Sequence, residues 1–166
     1  QVPGAPAPTE VAILQMRAGS VGTESKMFLR LGRHPRLVRF YGQCTDGEHQ
    51  MLVTEFAPLG SLSDWFFAKE DAGTLDTVTM RHRVAMMQQI CQGMEKLAKE
   101  GIIHRDLAAR NVLLFHYDPT NPAATSVKVT DFGLSVGISG CRTHATVQGN
   151  QLPDRYLSPE AIQRRR

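Results

Sequence analysis

The chain has little of several features that would assign it to a specialised class of protein. Three of its 166 residues are cysteines, at Cys44, Cys91 and Cys141, and no two of them form a C-x-x-C pair. An odd number of widely separated cysteines argues against a disulfide framework and against a zinc site. We therefore expect free thiols in a reducing compartment.

Long apolar runs are also missing. No stretch approaches the roughly 20 apolar residues that cross a bilayer, and no signal-peptide pattern follows Gln1. The sequence therefore predicts no membrane contact within this segment, and we expect the true start of the protein to lie upstream. A cytoplasmic setting is predicted, which includes the cytoplasmic side of a membrane protein.

The charge gives no sign of a nucleic-acid partner. The net charge is +3, and the arginines at positions 30 to 39 are interrupted by apolar residues that a core would use. No nucleic-acid-binding motif accompanies them. With 42% hydrophobic and 21% charged residues, the composition is typical of a globular protein with a core.

The hydrophobic pattern predicts strands in the first third of the chain and helix in its middle. Short apolar runs predict strands over 11–16, 37–41 and 51–56, with a turn over 45–48. Apolar residues at spacings of three and four predict a long helix over about 79–100. The residues of this stripe are Val84, Met87, Ile90, Met94 and Leu97.

Shorter elements surround the long helix. We predict a helix over 23–31, a second helix with Ser61 as its N-cap, and strands over 112–115 and 127–129. Strands that precede helices in this order favour an α+β architecture in two lobes.

The strongest motif is the run from His104 to Asn111, which reads His-Arg-Asp-Leu-Ala-Ala-Arg-Asn, and Asp131-Phe132-Gly133 follows it. The run matches the protein kinase catalytic loop H-R-D-L-x-x-x-N at every fixed position. The chain resembles that family over roughly residues 11–163.

The resemblance implies a two-lobed protein kinase-like α+β fold, truncated at both ends. Residues 1–10 would be a flexible lead-in, 11–57 a partial N-terminal lobe with the hinge, and 58–166 a partial C-terminal lobe. It also implies ATP and Mg²⁺ as cofactors and a protein as substrate. Asp106 would accept the proton of the substrate hydroxyl, and Asn111 and Asp131 would supply the hard oxygen ligands that Mg²⁺ prefers.

The wording of the loop resembles the tyrosine kinases within the family. Serine/threonine kinases usually have a lysine at the position of Ala108, whereas this chain has Arg110 two residues later. The segment 152–160 likewise resembles the tyrosine-kinase pattern L-P-V-R-W-x-[AS]-P-E. The resemblance implies transfer to tyrosine with Arg110 in a catalytic role, and it leaves a serine/threonine or dual-specificity kinase as an alternative.

The resemblance assigns further positions. The implied nucleotide-binding residues are Ala12, Thr54, Glu55, Ala57, Gly60, Asp64 and Leu113. Thr54 would be the gatekeeper, and backbone groups of Glu55 and Ala57 would bond adenine. The implied structural or regulatory residues are Glu24, His104, Arg105, Phe132, Gly133 and Glu160. Phe28 and Phe40 would join His104 and Phe132 in a stacked spine.

The chain departs from the family at one strand. The family has V-A-[IV]-K where this sequence reads Val-Ala-Ile-Leu, so Leu14 stands at the lysine position, and no Gly-rich phosphate loop precedes it. A leucine can pair neither with Glu24 nor with phosphates. The nearest cations in sequence are Arg17 and Lys26. A pseudokinase that binds a nucleotide or a partner without catalysis is therefore a further alternative.

Overall fold

The computed structural model describes residues 10–16, 21–47, 49–138 and Pro159. Its helices are α1 (Val21–Leu31), α2 (Leu62–Asp71) and α3 (Met80–Lys99). Its strands are β1 (Val11–Met16), β2 (Phe40–Asp46), β3 (His49–Glu55), β4 (Ile102–Ile103), β5 (Val112–His116), β6 (Ser126–Val129) and β7 (Val136–Gly137). Residues 1–9 of the predicted lead-in, Arg17 and Glu160 lie outside the described residues.

The first three strands form an antiparallel sheet in the order β1-β3-β2. Ala12 lies opposite Thr54 and Leu14 lies opposite Leu52. Because side chains alternate between the two faces of a strand, these four residues share one face of the sheet. That face lines one side of a cleft.

The strand β2 begins later than the sequence predicted, at Phe40 and not at residue 37. The Val38 N–H donates to the Val129 carbonyl at 2.9 Å, and the Val129 N–H donates to the Arg36 carbonyl at 3.0 Å. These bonds tie the segment to the end of β6. Its apolar side chains therefore belong to the core and not to a strand of the sheet.

The other predicted elements are present with shifted ends. The helix α1 begins at Val21, two residues before the predicted start. The strand β2 extends to Asp46, inside the predicted turn over 45–48, and Asp46 pairs with His49, where β3 begins. Ser61 is the N-cap of α2, where its hydroxyl accepts the Asp64 N–H at 3.1 Å.

The buried face of α3 differs from the predicted stripe. Its buried residues are His82, Met86, Gln89, Gly93 and Leu97. Val84 and Met87, which were predicted to be core, are 40% and 54% exposed. A Cβ added at Gly93 would lie 2.8 Å from the Arg36 carbonyl oxygen. The predicted stripe is thus correct at Leu97, Ile90 and Met94, which are buried or pack against the core, and wrong at its N-terminal residues.

Gln89 is buried in α3 because backbone groups use both ends of its amide. Its amide nitrogen Nε2 donates to the Thr125 carbonyl at 2.7 Å, and its amide oxygen Oε1 accepts the Val127 N–H at 2.9 Å. A buried polar side chain is tolerated when it is satisfied in this way. A search for apolar residues at helical spacing does not predict that a glutamine is buried.

Two clusters of buried apolar residues make the core. The first consists of Phe28, Leu31, Leu37, Leu52, Leu97, Ile102, Val129 and Phe132. The second consists of Leu62, Met86, Val112, Leu114 and Val127. The first cluster joins α1 and the three-stranded sheet to α3 and β6, and so fixes the walls of the cleft relative to each other.

Two short antiparallel pairs complete the described fold: β5 with β6, and β4 with β7. The β5–β6 hairpin leads directly to Asp131, and the β4–β7 pair holds the chain that follows Gly133. In the part of the chain that the structure describes, no helix has the length and apolar character needed to cross a membrane.

Candidate active site

A cleft with a volume of about 370 Å³ lies beneath the sheet. Its lining residues are Ala12, Leu14, Glu24, Phe28, Leu52, Thr54, Arg110, Asn111, Leu113, Thr130 and Asp131. They come from β1, β3, α1, the start of β5 with the residues before it, and the end of β6. Most of the residues predicted for nucleotide and metal thus meet at one place.

Four of the predicted nucleotide-binding residues are outside this lining: Glu55, Ala57, Gly60 and Asp64. Asp64 is exposed, and its carboxylate accepts the Ser61 hydroxyl at 2.7 Å as part of the α2 cap. Ala57 accepts the Gly60 N–H at 3.1 Å in a turn that needs the positive φ of 70° at Gly60. Their contacts with adenine or ribose stay predictions.

The side chain of Glu55 bridges two parts of the chain. Its carboxylate accepts the Arg39 N–H at 2.7 Å and pairs with Lys128 Nζ at 2.7 Å. Lys128 lies on β6, so this ion pair connects the end of the sheet to the hairpin below the cleft. The Glu55 N–H is itself bonded to the Arg39 carbonyl at 2.9 Å. A ligand at this position is therefore left with the Glu55 carbonyl.

Asp106 is buried and held by residues that follow it within the same loop. Arg110 donates from Nη2 to Asp106 Oδ1. Asn111 donates from Nδ2 to Asp106 Oδ2 at 2.9 Å and to the Asp106 carbonyl at 2.8 Å. Because the amide nitrogen of Asn111 faces Asp106, its Oδ1 points away from that carboxylate and is the atom suited to a metal ion.

His104 supports the loop in its neutral form. Its Nε2 lies 3.0 Å from the Thr130 carbonyl, and its Nδ1 lies 3.3 Å from the Asp106 nitrogen. The carbonyl requires a proton on Nε2, and the Asp106 N–H requires a lone pair on Nδ1. Burial lowers the pKa of His104, which favours the same neutral tautomer.

Four aromatic rings connect α1 to this loop. Phe28 stacks on Phe40 with ring centroids 5.1 Å apart and meets Phe132 edge-on at 4.9 Å. Phe132 in turn meets His104 at 5.5 Å. The predicted stack is therefore present as a continuous set of contacts, while its role in regulation stays a prediction.

Asp131 and Glu24 approach each other across Gly133. A Cβ on Gly133 would lie 3.4 Å from Asp131 Oδ1 and 3.6 Å from Glu24 Oε2. Burial, followed by the nearby Asp131 carboxylate, raises the pKa of Glu24, and a hydrogen bond from the Phe132 N–H acts against them. Asp131 has a positive φ of 63°, a conformation that is uncommon for a residue other than glycine.

The donor set of the cleft suits Mg²⁺. Mg²⁺ is usually bound by one or two carboxylates together with phosphate and water oxygens. Asn111 Oδ1 and the Asp131 carboxylate both face the cleft, and among the described residues no group of three or more histidine, cysteine or acidic side chains competes as a metal site. These two side chains are therefore the ones suited to hold the ion with a nucleotide.

Arg105 links the loop to the chain beyond Gly133. It has a positive φ of 68°, and its Nε donates to the Leu134 carbonyl. The resemblance to the family also implies that Arg105 pairs with a phosphate on the loop that follows, and residues 139–158 of that loop lie outside the described residues.

The sequence reasoning missed two lining residues, Leu52 and Thr130. Leu52 stands two residues before Thr54, and the period of two in a strand would have placed both on one face. Thr130 directly precedes Asp131, and its carbonyl bonds His104.

Lys26 is one of the two cations that are nearest in sequence to Leu14. It is exposed and follows Glu24 by two residues on α1, so it projects from another side of the helix than Glu24 does.

Residues 10–166 match the family described as protein tyrosine and serine/threonine kinase. The chain therefore belongs to the protein kinase family, as the resemblance from the sequence predicted. Fibroblast growth factor receptor 2 from Dugesia japonica is similar to it, with 32% identity over 149 residues that cover 84% of the chain and 16% of that receptor. Ephrin type-A receptor 8 from Rattus norvegicus is 37% identical over 169 residues, which cover 98% of the chain and 42% of that receptor.

The chain thus spans less than half the length of either of these curated relatives. It carries a kinase-family α+β fold, and protein kinases of this family use ATP and Mg²⁺.

Proposed function

We propose that the protein containing this chain transfers the γ-phosphate of ATP to tyrosine residues of a protein substrate. The single observation that carries the proposal is the fixed carboxylate of Asp106, held by Arg110 and Asn111 at the edge of a cleft that also contains Asp131. Phosphotransfer needs a positioned acceptor for the hydroxyl proton next to a site for the metal-bound nucleotide.

Each residue of the loop has a separate task in this proposal. Asp106 orients the substrate hydroxyl and accepts its proton. Arg110 fixes one oxygen of Asp106 and adds a positive charge where negative charge develops on the transferred group. Asn111 fixes the second oxygen and turns its Oδ1, together with Asp131, toward the metal position. Bound Mg²⁺ would neutralise the phosphate charges there.

Tyrosine is the proposed acceptor because of the arginine in the loop. Arg110 bonds Asp106 from four residues downstream, and Ala108 occupies the position of the serine/threonine-kinase lysine. This arrangement of Ala108 and Arg110 is the one that resembles the tyrosine kinases. We further propose that the partners are ATP and a tyrosine-containing protein, without nucleic acid or membrane contact in this segment, and that the domain acts in the cytoplasm.

One observation favours a pseudokinase as the second candidate. Leu14 lines the cleft beside Glu24 at the position of the family's lysine. A charge-assisted contact to phosphate is worth about 1.5–3 kcal/mol, so its loss lowers turnover. The complete set of bonds around Asp106 supports the enzyme over this alternative.

The test is Asp106→Asn in the full-length protein, assayed by phosphate transfer to a tyrosine peptide. The amide keeps the shape of the carboxylate but cannot accept the proton, so turnover should fall by at least about 100-fold while nucleotide affinity stays the same. Asp71→Asn, an exposed substitution at the end of α2, is the matched control and should keep full turnover. Undiminished turnover in Asp106→Asn would exclude the proposed role. Phosphoserine or phosphothreonine in a mixed-peptide assay would instead favour the serine/threonine alternative.

A further inference from the structure

The cleft is divided into an apolar part and an acidic part. Ala12, Leu52, Thr54 and Leu113 surround the apolar part, which joins the sheet to the start of β5. Leu14 extends this apolar surface toward α1, because it lies on the same face as Ala12 and opposite Leu52. Its side chain remains 42% exposed, since the cleft lies in front of it.

The acidic part is formed by Glu24 on α1 and by Asp131, which line the same cleft as Leu14. Glu24 is only 5% exposed, and its carboxylate and that of Asp131 lie within 3.6 Å of one point above Gly133. Two carboxylates of like charge at this distance repel a further anion strongly in a partly buried site. A ligand that enters with negative charge is therefore opposed at this end of the cleft.

The positive charge that could offset these carboxylates is limited. Among the described residues that line the cleft, Arg110 alone is cationic, and its guanidinium also bonds Asp106. Lys128, on β6, is paired with Glu55 outside the lining. The lining residues thus carry two carboxylates against one guanidinium, and that guanidinium is shared with a third carboxylate.

We propose that this cleft recognises the uncharged purine nucleoside part of its ligand, and that the lining side chains that the structure describes add no net affinity for the phosphates. The inference rests on the proposed nucleotide-binding function and gives that site a ligand preference. Leu14 contributes to the preference because it lines the cleft together with Glu24 and carries no charge. Phosphates then bind only as far as a divalent ion screens them from Glu24 and Asp131.

The test is isothermal titration calorimetry on the full-length protein, with adenosine and ATP as the two ligands and EDTA present throughout. Adenosine should bind at least as tightly as ATP under these conditions. In Leu14→Lys the ATP affinity should rise at least about tenfold, because charge-assisted hydrogen bonds to phosphate become available, while adenosine affinity should stay the same. Leu29→Lys, which adds the same charge at a residue of α1 that is 71% exposed, is the matched control and should change neither affinity.

The outcomes separate the inference from the proposed function. ATP that binds more than about tenfold tighter than adenosine in EDTA, or an equal gain in both lysine variants, would overturn the inference and leave the nucleotide site intact. Binding of ATP with Mg²⁺ in the absence of any adenosine binding would also overturn the inference and leave the nucleotide site intact. If neither ligand binds under any condition, including ATP with Mg²⁺, the proposed nucleotide site and the inference both fail.

Discussion

The catalytic loop and the strand β1 contribute to the same cleft, but they differ in charge: the loop supplies Arg110 to its carboxylate, whereas β1 supplies the uncharged Leu14. Asp106 receives hydrogen bonds from Arg110 and Asn111, all within six residues of sequence. Glu24 on α1 lines the cleft together with Leu14 of β1, and a leucine cannot form an ion pair with it. The carboxylate of Asp106 keeps its geometry through these local bonds, so we expect it to stay in place when a residue of the strand is changed. The proposed phosphate end of the cleft depends on two separate elements, so we expect a single substitution on either element to change its charge.

The largest expected effect comes from breaking the connection between the two regions. Phe132 is fully buried and contacts Phe28 on the α1 side and His104 on the loop side. Phe132→Ala should lower the free energy of unfolding by about 3–5 kcal/mol, because it removes a large core side chain and leaves a cavity. Urea unfolding of the full-length protein measures the change.

The control for this variant is Phe67→Ala, at a residue of α2 that is 63% exposed. A surface truncation of this kind should stay within about 0.5 kcal/mol of the parent protein. If Phe132→Ala costs no more than the control, the ring stack does not join the two regions.

A smaller effect is expected when the missing cation is restored. Leu14→Lys should raise the rate of tyrosine-peptide phosphorylation at least about tenfold, which corresponds to about 1.4 kcal/mol in the activation barrier. Leu14 and Glu24 line the same cleft, so a lysine at position 14 would add a cation to the lining that contains Glu24. An unchanged rate, or the same increase in Leu29→Lys, would show that β1 does not limit turnover.

The smallest effect concerns the buried carboxylate of Glu24. Burial, then Asp131, raises its pKa above the ordinary value of 4.5, so the folded protein holds this proton more tightly than the unfolded chain. Stability therefore falls as pH rises from about 4.5 through the folded-state pKa. Glu24→Gln removes this loss and should raise the melting temperature at pH 7 but not below pH 4.5.

The same substitution should act in the opposite direction once Leu14→Lys is present, because the lysine then needs the carboxylate as its partner. A double-mutant cycle of these two changes measures the interaction, and Glu70→Gln on the exposed side of α2 is the control. A gain of stability from Glu24→Gln in both backgrounds would mean that position 14 does not face Glu24.

The parts of the site that sequence predicted well are those with dense local motifs. The loop from His104 to Asn111 and the Asp131-Phe132-Gly133 turn identified the family, and the structure brings both to one cleft. The long helix and the N-cap at Ser61 were also predicted, since helical spacing and capping are local signals. The assignments of Glu55, Ala57, Gly60 and Asp64 to a ligand remain predictions, because their described contacts are all within the protein.

The errors arose where a distant segment decided the outcome. The residues before Phe40 were predicted as strand, but they bond the end of β6, some 90 positions further along the chain. Val84 and Met87 were predicted as core, but the approach of Arg36 to Gly93 turns the helix so that Gln89 and His82 are buried. Neither contact leaves a trace in the local periodicity of the sequence.

The sequence by itself determined the family, the order of the elements and the chemical identity of the residues around Asp106, because motif spacing and periodicity are properties of neighbouring residues. It also placed a leucine where the family has a lysine. Only the tertiary structure decided that Leu14, Glu24 and Asp131 meet in one cleft, since strand register and the packing of α1 bring them together from positions more than 100 residues apart. Charge balance in a cleft is a property of such distant neighbours, so folding sets it.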